Sequence, residues 1–458
     1  MTPYRLLKPA FALAALLALP SAPVLADRPV ATAHTTPGGI QFRHVTLAGQ
    51  PRHAITFAWP DSISFASPGR EGVAPLGRQL VNEGTAALNR NAFSERLKDI
   101  GAATSLFGNP YFTQGSVTAA PDKMRATVEL FAGQLATPAM APDRFAFLHK
   151  SAMANARQAA ENAETLARRL MTRLTLGAGP AFDAIIHPAE SFQAVTLADV
   201  EAWRRAVMVR DRVIVASAGP MAAEAVAAEI DLLFAGLPLR SAEQAVVAPP
   251  PLKLNPRLVV LERPVAQTII VAGGPSGWTV GPDQPRADIV IQSLLGFEGR
   301  MFRALREKLG ASYGVQASLI TYHEQARAFW IVASVDSTKA ADAIAAIRAE
   351  YERLIADGLT EAEVTRLKAR QVTNLDEQFR QSLSAAQQLL RVQLGGFPAD
   401  FLDKHDAQLA SFDLAAINDG LRTKFPKAPL AFMVIAPKAD GLGADCTIKS
   451  AEEIARCE

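Results

Sequence analysis

Apolar and polar positions along this chain follow two rhythms, and the order of those rhythms is written twice. Apolar, β-rich runs at His53–Trp59 and Gln267–Ala272 predict a strand opening each half. Helix-like spacing follows each run, over Val73–Val81 and Ala287–Leu295. The stretch FSERLKDIGAATS from Phe93 then lines up with FRALREKLGASYG from Phe302. Gly101 and Gly310 fall at the same place in both and read as helix C-caps. Alternating strands are predicted next at Tyr111–Ala119, and at Ser312–Thr321 plus Ala328–Val335. Each half closes on a capped helix and an apolar strand. Leu197 and Pro220 in the first correspond to Leu414 and Pro437 in the second, 217 positions on in both cases.

The repeat predicts an α+β fold of two homologous lobes, each a mixed, mostly antiparallel sheet with helices packed on one face. A connector over Ser241–Arg257 separates them, because three consecutive prolines in VVAPPPLKLNPR disfavour helix. The division is therefore an N-terminal lobe over 27–240, a linker over 241–257, a C-terminal lobe over 258–440 and a tail over 441–458.

The first residues follow neither rhythm. Arg5 and Lys8 precede the apolar run Ala10–Leu19, and Val24-Leu25-Ala26 offers small or aliphatic residues at a cleavage site. This reads as a secretory signal peptide over 1–26, too short to span a bilayer, and predicts a periplasmic or secreted product. Its removal takes two of the 47 Lys+Arg and none of the 45 Asp+Glu, so the remainder is formally neutral. Such a chain has no electrostatic footprint for nucleic acid. With 49% hydrophobic residues and no low-complexity tract, disorder is excluded as the main state. No further segment is apolar enough for a stable membrane span. The two cysteines, Cys446 and Cys457, lie in the tail; an oxidising compartment permits a disulfide between them, and free thiols are the alternative.

Several pieces resemble the insulinase or pitrilysin-type zinc metallopeptidase family, which includes mitochondrial processing peptidase and the core subunits of the cytochrome bc1 complex. They are LREKLGASYGV at Leu305–Val315, NEGTAAL at Asn82–Leu88, and NAETLARR at Asn162–Arg169. Active members carry HxxEH shortly before a Gly-Thr pair and a further Glu some way on. Two His and that Glu hold zinc, and the Glu between the His is the general base. Here Gly84-Thr85 sets the register, so those roles fall on Pro75, Arg78, Gln79 and, for the third ligand, near Asn155. An imino acid, a permanent cation and two neutral amides do not make a zinc site. The seven His are scattered along the chain, none with a second His at metal-ligand spacing, and His323-Glu324 reads as a surface pair.

The resemblance further implies that Arg306 and Tyr313 match the family's pair that holds the substrate carbonyl and stabilises the oxyanion, reaching across to a zinc-bearing half. The alternative for these two is a helix C-terminal cap and a strand-edge packing residue. The family's Gly-rich run is echoed only by Gly296, Gly299, Arg300 and Phe302. The resemblance thus implies a non-catalytic subunit of a heterodimer. It would bind no metal itself, pair with an HxxEH-bearing homologous subunit that carries zinc, and act on peptide or unfolded polypeptide. The alternative is an inert peptide-binding or assembly scaffold of the same fold. A G-x-S-x-G elbow or a Cys/His nucleophile pair, as a stand-alone hydrolase would need, is not evident.

Overall fold

The computed structural model describes residues 28–240, 248, 250–253, 255–295, 299–427 and 429–458. The signal segment 1–26, most of the Pro-rich connector and Gly296 lie outside the described residues. The repeat read from the sequence is a repeat of topology. The first sheet runs β1-β2-β6-β3-β5-β4, formed by Thr32–Thr35 (β1), Gln41–Thr46 (β2), His53–Pro60 (β3), Ala103–Gly108 (β4), Phe112–Ala119 (β5) and Ile214–Gly219 (β6). The second runs β12-β7-β11-β8-β10-β9. Its strands are Leu258–Glu262 (β7), Thr268–Ser276 (β8), Ser312–His323 (β9), Ala326–Val335 (β10), Ala431–Ala436 (β11) and Cys446–Ile448 (β12). The second to sixth positions correspond one to one, β2, β6, β3, β5 and β4 with β7, β11, β8, β10 and β9. Both sheets are mixed: β2 runs parallel to β6 and β7 to β11, while β3 and β8 are antiparallel to their neighbours.

Local chemistry explains the matched boundaries. The helix Arg90–Ile100 starts on Asn89, whose side chain accepts from the Ala92 amide, and stops at Gly101 with φ 72°. Its counterpart ends in a π-helical turn, Arg303–Lys308, with Gly310 at φ 58°. Left-handed backbone at both stops favours the residue without a Cβ. The closing helices Leu197–Val207 and Leu414–Lys424 start on the side-chain caps Thr196 and Asp413.

Each sheet is covered on one face by helices of its own half. In the first, Ile55, Phe57 and Trp59 pack with Phe131, Trp203 and Phe234. In the second, Phe329, Ile331 and Val434 pack with Val290, Ile347 and Leu421. The opposite faces are covered too, by helices exchanged between the halves. The helix Ser382–Leu394 lies on the first sheet, where Ala54, Ala58, Ala216 and Ala218 are small enough for close approach. Thr56 Oγ1 there donates to the Ala386 carbonyl at 3.1 Å, and Gln393 Nε2 to the Val215 carbonyl at 3.1 Å. In return, Ala163–Leu176 lays Leu166, Leu170 and Met171 on Val271, Trp330 and Met433 of the second sheet. This double coverage is why β3 and β8 are almost uniformly apolar rather than alternating.

The tail is integrated into the second sheet. β12 pairs with β7, and a disulfide joins Cys446 to Cys457 with Cα atoms 5.8 Å apart. Among the described residues no helix is long and apolar enough to cross a membrane.

Candidate functional site

The helix Val73–Val81 carries Pro75, Arg78 and Gln79. It packs closely on Leu197–Val207, since a Cβ on Gly77 would stand 2.2 Å from the Trp203 ring. That closeness places Trp203 over the end of β3, where Asp61 lies 1% exposed. Asp61 Oδ2 accepts from Thr113 Oγ1 at 2.7 Å and Trp203 Nε1 at 3.0 Å. Arg78 is turned inward to join them, with Nη1 3.4 Å from Asp61 Oδ2 and 3.2 Å from Thr113 Oγ1. Burial draws both charged groups toward their neutral forms, Asp61 upward and Arg78 downward, and each opposes the shift in the other. Arg78 is thus a partner of a buried ion pair.

Pro75 is half-buried and Gln79 is exposed. Asn155 is exposed on the helix Pro142–Glu161, which packs against Val73–Val81. The structure therefore sets side by side the two helices that carry these four positions. It supplies no imidazole or carboxylate from any of the four, and a buried guanidinium occupies the middle of the set. Zinc does not fit there. Among the described residues no cluster of three or more His, Cys, Asp or Glu is arranged to hold a metal.

Arg306 and Tyr313 flank the Gly310 turn of the other half. Arg306 is exposed, with its guanidinium carbon 5.6 Å from the centre of the Phe302 ring. For Tyr313 the structure describes the backbone, at the start of β9 where the β9–β10 register shifts. Ser312 Oγ braces that irregularity, lying 2.7 Å from both the Gly314 and the Ser334 carbonyl, either of which accepts its one proton. The turn thus brings Arg306 and the Tyr313 backbone to one end of the second sheet. The helix Val73–Val81 packs mainly against elements of its own half.

Residues 194–371 match the family described as the peptidase M16 inactive domain. The matched segment, under half of the chain, resembles the insulinase-type (M16) peptidases. None of the curated proteins matches the chain in sequence. Among solved structures it resembles an M16 inactive domain from Pseudomonas fluorescens, with TM-score 0.80, 19% identity, and 92% of this chain and 99% of that one covered. A protease from Helicobacter pylori superposes with TM-score 0.79 at 16% identity, covering 89% of this chain and 100% of the other. The periplasmic protease PqqL from Escherichia coli gives TM-score 0.74 at 14% identity; the match covers 89% of this chain and 46% of PqqL. At such identities these likenesses are likenesses of fold.

The chain also assembles groups that sequence spacing does not bring together. A cavity of about 970 Å³ lies at the seam of the two halves. Asp61, Tyr111 and Arg212 line it from the first half, and His323, Arg327 and Arg391 from the second. Tyr111 and His323 meet edge to face across the seam, with ring centroids 5.8 Å apart. His323 is therefore half-buried at an inter-lobe contact. Elsewhere, three strands align His34, His44 and His53, with ring centroids 6.1 and 5.7 Å apart. His44 is fixed by Ser217 Oγ at 2.8 Å and Thr46 Oγ1 at 3.1 Å. Burial, with a neighbouring His, lowers His44 to about 4 and His53 to about 3. Only His53 stands in a strand predicted from the sequence, so the pattern carried no signal for the alignment of His34 and His44 with it. Arg391 gave none, because a basic residue on a long amphipathic helix reads as solvated.

Proposed function

We propose that this chain is the Arg/Tyr-bearing, non-catalytic subunit of an exported M16-type peptidase heterodimer, with lobes over 27–240 and 258–440 and a tail over 441–458. An HxxEH-bearing homologue is its partner and holds the zinc; peptide or unfolded polypeptide is the substrate. Arg306 binds the substrate carbonyl and Tyr313 stabilises the oxyanion, both acting on the partner's site. The observation that carries this reading is the buried Arg78–Asp61 pair. The helix of the zinc motif has become a packing element, while Arg306 stays exposed at the end of the second sheet. The match to an M16 domain described as inactive supports it. Export is supported by the signal-like segment 1–26, by the Cys446–Cys457 disulfide, and by the likeness to a protease described as periplasmic.

Co-expression with an HxxEH homologue tests the reading. The co-purified complex is expected to cleave peptides, and this chain alone to carry less than one zinc per molecule. Arg306→Ala and Tyr313→Phe are expected to lower turnover at least tenfold without dissociating the complex. Unchanged turnover in both variants would remove the role in trans. The fold likeness to a chain of complex III from Candida albicans favours the second reading, an inert peptide-binding or assembly scaffold. A partner fully active without this chain would establish that one instead.

A further inference from the structure

We propose that the cavity at the seam of the two halves is a binding site for an apolar group that ends in a carboxylate, with Arg391 and Arg327 as the carboxylate's donors. Its volume, about 970 Å³, suits a ligand of one to a few residues. Phe107 and Phe112 line it from the first half, and Val280, Leu394 and Phe397 from the second, so its body is apolar and suited to an apolar group.

Its charged lining points to an anion. Three guanidiniums face the cavity, those of Arg212, Arg327 and Arg391. Among the described residues none of the three has a carboxylate within ion-pair distance. Arg391 uses Nε on Gln388 Oε1 at 2.8 Å and leans on the Phe397 ring, 6.0 Å from its centre. Its other two nitrogens make no hydrogen bond to a described residue. Arg327 is only 6% exposed, donates from Nη1 to Gln284 Oε1 at 2.6 Å, and keeps a buried Nε without a partner. A buried guanidinium without a counter-ion is costly, and a carboxylate is the group its fork of donors fits best.

Two acids, Asp61 and Glu324, also line the cavity, and among the described residues neither is within ion-pair distance of these three guanidiniums. Asp61 belongs to Arg78, Thr113 and Trp203. Glu324 is exposed on the β9–β10 hairpin. Asp288 lies within electrostatic range of both Arg327 and Arg391 yet takes its hydrogen bond from Gln284 Nε2 at 2.7 Å, and burial pushes its carboxyl upward toward the neutral form. Tyr111 adds a hydroxyl that is buried without a partner among the described residues. A ligand seated here touches both sheets' halves at once, beside the Tyr111–His323 contact.

The C-terminal residue of a peptide and a free aliphatic or aromatic acid present this same chemistry. The site stands apart from the Arg306 reading, because it is tested on the chain alone with no hydrolysis measured. Calorimetric titration of the purified chain would use N-acetyl-Ala-Phe, its C-terminal amide, and 3-phenylpropionate. The peptide acid is expected to bind at least tenfold more tightly than the amide. Arg391→Gln is expected to reduce that preference to within twofold while the melting temperature stays close to the parent's. Leu394→Trp, which fills the cavity from its apolar side, is expected to weaken the acid tenfold and serves should Arg391→Gln fail to fold. Binding of the peptide acid assigns a chain terminus as the source, and binding of 3-phenylpropionate alone assigns a free acid. Equal binding of acid and amide, no binding of any probe at millimolar concentration, or undiminished binding in a folded variant would overturn the proposal.

Discussion

Arg300 grips Glu363 with two nitrogens, Nε at 2.9 Å and Nη2 at 2.8 Å, and ties the turn that bears Arg306 to the start of the Glu361–Gln378 helix. The same carboxylate accepts from the Thr360 amide at 2.8 Å, so one side chain both caps a helix and anchors a turn. Arg300 also donates to the Gly358 carbonyl at 2.9 Å. Its echo of the family's loop signature therefore has a structural account.

Removing this anchor has a defined cost. Glu363→Gln is expected to destabilise the chain by about 2–3 kcal/mol, because it breaks a half-buried bidentate pair and weakens a capping box. Urea denaturation measures the loss, and faster proteolysis near residues 300–314 locates it. Burial opposes ionisation of Glu363, but Arg300 and the Thr360 amide prevail and hold it at about 2. Its contribution is fully present above pH about 4.5 and is lost as pH falls through about 2.

The histidine ladder acts over a different range. His44 and His53 are depressed to about 4 and 3, so the unfolded chain takes up protons first as pH falls below 6.5. Stability is expected to drop by roughly 5 kcal/mol between pH 7 and pH 4.5 from these two groups. His53→Leu is expected to flatten that slope. Equal slopes for the parent and the variant would show that the titration of His53 does not contribute.

Rebuilding the family's zinc motif is expected to fail by a route the structure specifies. Pro75→His, Arg78→Glu and Gln79→His together would set a new carboxylate against buried Asp61 and remove its counter-ion. The triple variant is expected to lose about 3–5 kcal/mol, the usual cost of an orphaned buried charge. Adding Asp61→Asn is expected to recover a large part of it. Thermal melting of the two variants side by side makes the comparison.

The tail disulfide closes a short loop, with the two cysteines 11 positions apart. Replacing both with Ser is expected to lower stability by about 2–3 kcal/mol through the unfolded chain's regained freedom. A scan of melting temperature with and without reductant gives the same answer without mutagenesis.

Much of the fold was legible because its punctuation is local. Gly101 and Gly310 stop helices by backbone geometry, and Leu197 and Leu414 begin helices directly after side-chain caps. The Val73–Val81 helix and the strands at β3 and β10 follow from periodicity. What covers a face is not local. The pattern Leu166, Leu170, Met171 announces a buried stripe on a helix but does not say which sheet receives it. For that reason the reading of helices on one face was completed by a second layer from the opposite half. The site shows the same limit. Arg78 was recognised as incompatible with zinc chemistry by residue type, yet its partner Asp61 lies at the end of a strand and is joined to it only by the packing of Gly77 on Trp203. Arg327 and Arg391 meet through folding alone.

The exchanged helices have one more consequence. Swinging the two sheets apart would strip Ser382–Leu394 from one and Ala163–Leu176 from the other, baring two greasy floors to water. A jaw that works inside a single copy is thus energetically closed to this architecture. In the proposed heterodimer, the gap that admits a long polypeptide would therefore form where this molecule meets its partner.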